Sequence, residues 1–289
     1  MSNFRKQLSA TVPAIFIAFA AMHAQAQDNV FISDGVPIHY EDIGGEGAPV
    51  VLIHSFASSS EMWAQAGVVG DGDYRYISID ARGHGLSGKP AGAESYGTAM
   101  VADVVGLLDW LNIEAAHIAG YSMGAEIALK LTVDHPELVL SLTVGGSGWS
   151  GEPEYGLYQF IGSSIGDTTS FADWIRNMDP EMSDEEFGYL AGMLEAHGIR
   201  GENQDTGALA AVALGMNGLI DLTEDELAAI NVPVLGVAGE LDAERPNIEA
   251  MIGVVPNFTM VVIEDADHLD APLAPEFRDS IAAFLAVQR

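Results

Sequence analysis

Gly120-Tyr121-Ser122-Met123-Gly124 constrains this chain more than any other stretch, because it asks for a serine at a sharp turn between a strand and a helix. Ala115 to Ala119 upstream is short and strand-like, and Ala125 to Leu131 downstream is rich in good helix formers. Small residues at 120 and 124 let the two backbones approach closely. In that geometry backbone strain presents the serine hydroxyl above the edge of a sheet, where a substrate can reach it.

The flanking pattern supplies the sheet. Val30-Phe31-Ile32-Ser33 and Pro37-Ile38-His39-Tyr40 flank Asp34-Gly35, a turn signal, and predict an antiparallel hairpin. Pro49 to His54 is a continuous apolar run of the kind buried on both faces of a parallel sheet. Further strands are predicted over Tyr74–Asp80, Val139–Val144, Val232–Ala238 and Thr259–Ile263, with helices over Thr98–Leu111 and Pro275–Val287. Strands alternating with helices predict an α/β fold with a doubly wound, mostly parallel sheet. Between Trp149 and Ile230 no strong strand occurs, but helix starts do, at Ser183-Asp184-Glu185-Glu186 and Thr223-Glu224-Asp225-Glu226. Residues 150–230 are therefore read as a helical cap inserted into a core made of 27–149 and 231–289.

The first 26 residues read differently. Arg5 and Lys6 precede an apolar run of 13 residues, Ala10 to Met22, and Ala24-Gln25-Ala26 follows as a small-x-small site. That order predicts a secretory signal peptide cleaved after Ala26, hence a secreted or periplasmic protein with no stable membrane span afterwards. There is no cysteine, which excludes thiolate metal sites and leaves stability to packing. The formal charge of −31 disfavours nucleic acid and anionic membranes as partners, and its self-repulsion is screened by salt.

A serine nucleophile needs a base, an acid that orients the base, and an oxyanion hole. His268, in Asp265-Ala266-Asp267-His268-Leu269, follows the last predicted strand, and Asp242 ends Gly239-Glu240-Leu241-Asp242 one strand earlier. Both fall at the carboxyl edge of the sheet, where Ser122 also opens, and the order Ser122, Asp242, His268 is the one this architecture uses. The oxyanion donors are expected to be the backbone N–H groups of Met123, just after the nucleophile, and Phe56, just past the first buried strand. His84 reads as a turn brace and His54 as a shaper of the oxyanion loop, while His39, His117, His135 and His197 show no partner pattern. No HExxH or H-x-x-x-H spacing exists, so neither a metal nor a cofactor is expected.

These landmarks resemble the α/β-hydrolase fold family, in its capped branch of esterases, lactonases and carbon–carbon bond hydrolases. The resemblance rests on His54-Ser55-Phe56, Asp80-Ala81-Arg82-Gly83-His84-Gly85-Leu86-Ser87, the turn at Ser122, and the Asp242 and His268 pair. It covers about residues 30 to 287. Two positions depart from the family pattern: Ser55 and Asp267 each stand where glycine is usual. Ser55 and Met62-Trp63 are similar to enol-lactonases. Asp267 places a negative charge beside His268, which raises its pKa and shifts activity toward alkaline pH. Relatives with an aspartate nucleophile, the haloalkane dehalogenases and epoxide hydrolases, are a poorer match because Ser122 holds the apex. The resemblance implies hydrolysis of a small-molecule ester or lactone through an acyl-enzyme. Carbon–carbon cleavage, perhydrolysis on the same triad, and a catalytically silent binding protein are the alternatives. Aromatic and methionine side chains of the cap, together with Trp149 at its start, suit an apolar acyl or aryl group.

Overall fold

The computed structural model describes residues 29–70, 73–149, 155–200 and 204–288. The proposed signal peptide lies outside the described residues. Eight strands form one sheet: β1 (Val30–Ser33), β2 (Val36–Gly44), β3 (Pro49–Ile53), β4 (Arg75–Ile79), β5 (Ala116–Tyr121), β6 (Val139–Gly145), β7 (Val234–Gly239) and β8 (Phe258–Ile263). Their spatial order is β1-β2-β4-β3-β5-β6-β7-β8. Only β1 and β2 run antiparallel to their neighbours, and every pair from β4 to β8 is parallel. The opening hairpin turns as expected: Asp34 and Gly35 both take positive φ, and Ser33 pairs with Val36.

The central strands are apolar on both sides because each side has its own core. In β3, Val51 and Ile53 enter a cluster with Val101, Val104 and Leu108 of the Thr98–Trp110 helix and with Ile127 and Ala128. Val50 and Leu52 point the other way, into a cluster with Trp63, Phe277, Ile281 and Leu285. Trp63 and Phe277 stack with centroids 6.2 Å apart, and Phe277 belongs to the closing helix Pro275–Ala286. Burial on alternating sides removes a methylene-rich strand from water at about 25 cal/mol per Å², which accounts for an uninterrupted apolar run at the sheet centre.

Arg82 and Asp103 form a buried, two-pronged ion pair, 2% and 1% exposed, with contacts of 2.6 and 2.5 Å. It pins the loop after β4 to the Thr98–Trp110 helix. Desolvating both charges is costly, and the fork geometry is what offsets that cost.

Among the described residues the stretch between β6 and β7 is helical, with Tyr155–Ser164, Phe171–Met178, Asp184–Ala196, Thr206–Gly215, Asn217–Ile220 and Glu224–Ala228. The two acidic helix starts both form complete capping boxes, Ser183 with Glu186 and Thr223 with Glu226. Polar contacts tie this stretch to the sheet edge. Ser58 Oγ donates to the His197 carbonyl, Gln204 Nε2 donates to the Ala57 carbonyl at 3.0 Å, and Tyr158 OH donates to Glu126 at 2.6 Å. No described helix is long and apolar enough to cross a membrane.

Candidate active site

Ser122 sits between β5 and the helix Met123–Asp134 with φ 53° and ψ −119°, a conformation that costs a non-glycine residue strain. The surroundings enforce it. A Cβ on Gly120 would overlap the Gly124 carbonyl, and one on Gly124 would overlap the Ile53 carbonyl at the end of β3. Both glycines are thus required by close approach, and the Ser122 amide is fastened to the Gly145 carbonyl of β6 at 2.7 Å.

The three residues singled out from chain order meet in space. His268 Nε2 lies 3.2 Å from Ser122 Oγ, and His268 Nδ1 lies 3.0 Å from each oxygen of Asp242. The Asp242 side chain is fully buried, whereas the His268 side chain is 34% exposed. Because the buried carboxylate accepts a hydrogen bond from Nδ1–H and so keeps the proton on that nitrogen, Nε2 presents its lone pair to the serine. Burial pushes the His268 pKa down. The Asp242 hydrogen bond and charge, then Glu244 and Asp267, push it up, and the net direction is up. Asp267 therefore acts in the expected direction but trails Asp242 and Glu244. Its side chain also accepts the Leu269 and Asp270 amides at 2.8 and 2.9 Å, which shapes the loop carrying His268.

Phe56 and Met123 lie at the two places where an oxyanion hole is expected. Met123 opens its helix, so its amide has no intrahelical partner. Among the described residues no protein acceptor takes the Phe56 amide either. His54 holds the Phe56 loop. Its Nε2 accepts the Ala81 amide at 3.0 Å and its Nδ1–H donates to the Ser55 carbonyl at 2.7 Å, a neutral tautomer that its complete burial favours. The His84 ring packs edge-on against both His54 and Phe56, with centroids 5.1 and 5.7 Å away, so it is a brace as its sequence context implied.

Several site neighbours carried no sequence signal. Tyr121, the variable residue before the nucleophile, donates its hydroxyl to the His268 carbonyl at 2.7 Å and places its ring 5.4 Å from the imidazole. Glu244 donates its amide to Asp242 Oδ1 at 2.9 Å. His197 contacts the Leu269 carbonyl at 2.5 Å, linking the helical stretch to the His268 loop. His39, which shows no partner pattern in sequence, pairs with Asp80 at 2.9 Å. Asp80 also accepts the Ser60 and Leu86 amides, and these contacts hold its carboxyl well below the usual range despite burial. Trp149 lies at the root of the helical stretch, its indole N–H on the Leu222 carbonyl and its amide on the Asn247 carbonyl, both at 2.8 Å. A cavity of about 290 Å³ opens beside the oxyanion loop, but Ser122, Asp242 and His268 are absent from its walls. The cavity and the Ser122–His268–Asp242 contacts are therefore separate features of the structure.

A nucleophile with a base and a buried orienting acid, near two backbone amides that no described protein group accepts, can support acyl transfer. Comparisons with known proteins agree at the level of fold and family. A fluoroacetate dehalogenase from a Burkholderia species is 34% identical over 106 residues, 35% of this chain and 35% of that protein. A 2-hydroxymuconate semialdehyde hydrolase from a Pseudomonas strain is 33% identical over 151 residues, 51% of this chain and 52% of that protein. The aligned stretches thus span only about a third to a half of these curated relatives. Among solved structures, a thermophilic esterase from Thermogutta terrifontis, bound to malate, is 26% identical with a TM-score of 0.74, covering 90% of this chain and 97% of that one. The profile described as the alpha/beta hydrolase fold matches residues 48–207, more than half of the sequence, and the chain belongs to that family.

Proposed function

We propose that this chain is an exported serine hydrolase that cleaves small or medium carboxylic esters or lactones through an acyl-enzyme. The observation that carries the reading is the Ser122–His268–Asp242 chain of contacts on a strained turn. Ser122 Oγ attacks the carbonyl carbon as its proton passes to His268 Nε2. The carbonyl oxygen, now an anion, is held by the Met123 and Phe56 amides. His268 then gives the proton to the departing alkoxide, leaving an acyl-serine. Water then adds to the acyl carbon as His268 takes its proton, the bond to Ser122 Oγ breaks to release the acid, and His268 returns the proton to Oγ. The helical stretch 150–230 acts as the cap that excludes bulk water. Intact mass of the exported protein tests the first part: a start at Gln27 is expected, and a chain beginning at Met1 or Ser2 contradicts it.

Carbon–carbon hydrolysis on the same triad is the second reading, favoured by the 33% identity to the semialdehyde hydrolase. The dehalogenase relative transfers less well, since position 122 is serine and not aspartate. A panel of p-nitrophenyl esters of rising chain length, several lactones and a vinylogous 1,5-diketone separates these outcomes. Turnover of esters or lactones is expected to dominate, and turnover of the diketone alone overturns the ester reading.

The pH profile follows from His268. Only the neutral imidazole can accept the serine proton, and a raised pKa keeps the protonated form to higher pH. The acid limb of kcat/KM is therefore expected to have its midpoint above 6.5, the ordinary histidine value. Asp267→Asn removes one of the charges behind the rise, so it should move the limb toward acid. A limb at or below 6.5 that Asp267→Asn leaves in place contradicts this.

A further inference from the structure

Backbone carbonyls turned away from water need donors, and the loop that carries His268 does not supply all of its own. The Ala266 carbonyl accepts the Leu241 amide at 2.9 Å, the Asp267 carbonyl accepts the Ala271 amide at 3.1 Å, and the Asp270 carbonyl accepts the Leu273 amide at 3.0 Å. Among the described residues no backbone amide reaches the His268 and Leu269 carbonyls between them. The sequence explains the gap. Pro272 stands four residues after His268 and three after Leu269, where a turn donor would be, and proline has no N–H. The Ala271 amide, three residues after His268, is already taken by Asp267.

Two buried side chains from other elements fill both places. The Tyr121 hydroxyl donates to the His268 carbonyl at 2.7 Å, and His197 Nε2–H donates to the Leu269 carbonyl at 2.5 Å. Both residues are only 1% exposed. Packing holds the Tyr121 ring in place: it meets Phe277 edge-on with centroids 5.6 Å apart, and a Cβ on Gly146 would come within 2.6 Å of Tyr121 Cζ. Burial and then the Asp242 and Asp267 charges push the Tyr121 pKa well above its ordinary value, so the hydroxyl keeps its proton. His197 is set by the end of its helix. Gly198 takes φ 70° and turns the chain out of Asp184–Ala196, and the His197 carbonyl accepts Ser58 Oγ, two residues past Phe56.

We propose that Tyr121 and His197 are positioning residues that clamp the His268 loop from two sides and so fix where the imidazole stands. Tyr121 directly precedes the nucleophile, so one grip refers the base to the Ser122 turn. His197 lies in the helical stretch between β6 and β7 and also holds the loop after β3, so the other grip refers the base to both. The Asp242 contacts orient the ring, but they act on a side chain that swings from the backbone, and the clamp fixes that backbone. Both residues act through His268 and not on substrate. The role in turnover rests on the hydrolase reading, in which His268 is the base; the grip on the loop does not.

Steady-state turnover of a p-nitrophenyl ester, paired with hydrogen–deuterium exchange on the full chain, tests this. Tyr121→Phe keeps the ring and removes the donor. It should lower kcat about tenfold or more with KM changed by less than about twofold, at a temperature where a melting curve shows the protein folded. His197→Leu should act in the same direction. His197→Gln, whose amide can donate as Nε2–H does, should recover most of the rate. A role in stability alone would move the melting temperature without splitting kcat from KM and without the glutamine rescue. The Leu269, Asp270 and Ala271 amides, all hydrogen-bonded to Asp267, should exchange about tenfold faster in Tyr121→Phe and His197→Leu but not in His197→Gln. Wild-type protein that turns over no ester would sink the hydrolase reading and leave the exchange rates to decide the clamp. If Tyr121→Phe does not fold, the two His197 variants decide it. Turnover and exchange within about twofold of wild type in Tyr121→Phe and His197→Leu, or His197→Gln as impaired as His197→Leu, overturn the proposal.

Discussion

Ser122→Ala is expected to lower kcat by about 10⁶-fold, roughly 8 kcal/mol of transition-state stabilisation, while the protein keeps its fold. Alanine removes the hydroxyl that stands 3.2 Å from His268 Nε2, and on the proposed mechanism no acyl-enzyme can form without it. His268→Ala should cost nearly as much, because a serine hydroxyl is a weak nucleophile without a base. The three side chains act as one device, so the double variant Ser122→Ala/His268→Ala should be little worse than either single one. Losses that multiply, or ester turnover surviving in Ser122→Ala, would show that some other group carries the reaction. Residual turnover in His268→Ala alone would move the base to another residue, with His84 the next to test.

Asp242→Asn should cost on the order of 10⁴ in kcat, about 5 kcal/mol, by the same logic that applies to buried triad aspartates in serine proteases. The amide can offer an N–H to His268 Nδ1, where the carboxylate could only accept. That favours the tautomer with its proton on Nε2, facing the serine it should deprotonate. Folding should survive, because the other contact of the side chain is the Glu244 amide on Oδ1, which an asparagine oxygen can also accept. The check pairs a melting curve with steady-state kinetics. An unchanged melting temperature with more than a tenth of the wild-type rate would place the orienting acid elsewhere, with the loop after Val144 the first region to search.

How much of this was legible in the sequence depended on the range of the interaction. The serine turn is local: five residues encode it, and Gly120 and Gly124 are fixed by backbone approaches within and beside it. The strands of the central sheet were legible because burial on both faces leaves an apolar run, as in Pro49–Ile53. Asp242 and His268 were legible because successive parallel strands deliver their ends to one edge, so chain order stands in for spatial order. The paired roles of His39 with Asp80 and of Arg82 with Asp103 were not, since their partners lie 41 and 21 residues away on other elements. Tyr121 was hidden for another reason. Its position in the turn motif tolerates many side chains, and only the return of the His268 loop gives its hydroxyl a partner. Helix starts in the inserted stretch were marked by capping residues, but how those helices meet the core rests on isolated polar contacts such as Tyr158 with Glu126.

The most direct test of the central claim is the intact mass of the folded protein after reaction with a fluorophosphonate, followed by peptide mapping. One adduct per chain is expected, on Ser122 and absent from Ser122→Ala, since the reagent reports a serine activated by its base and an oxyanion site together. No adduct, or an adduct on any residue other than Ser122, would contradict the account.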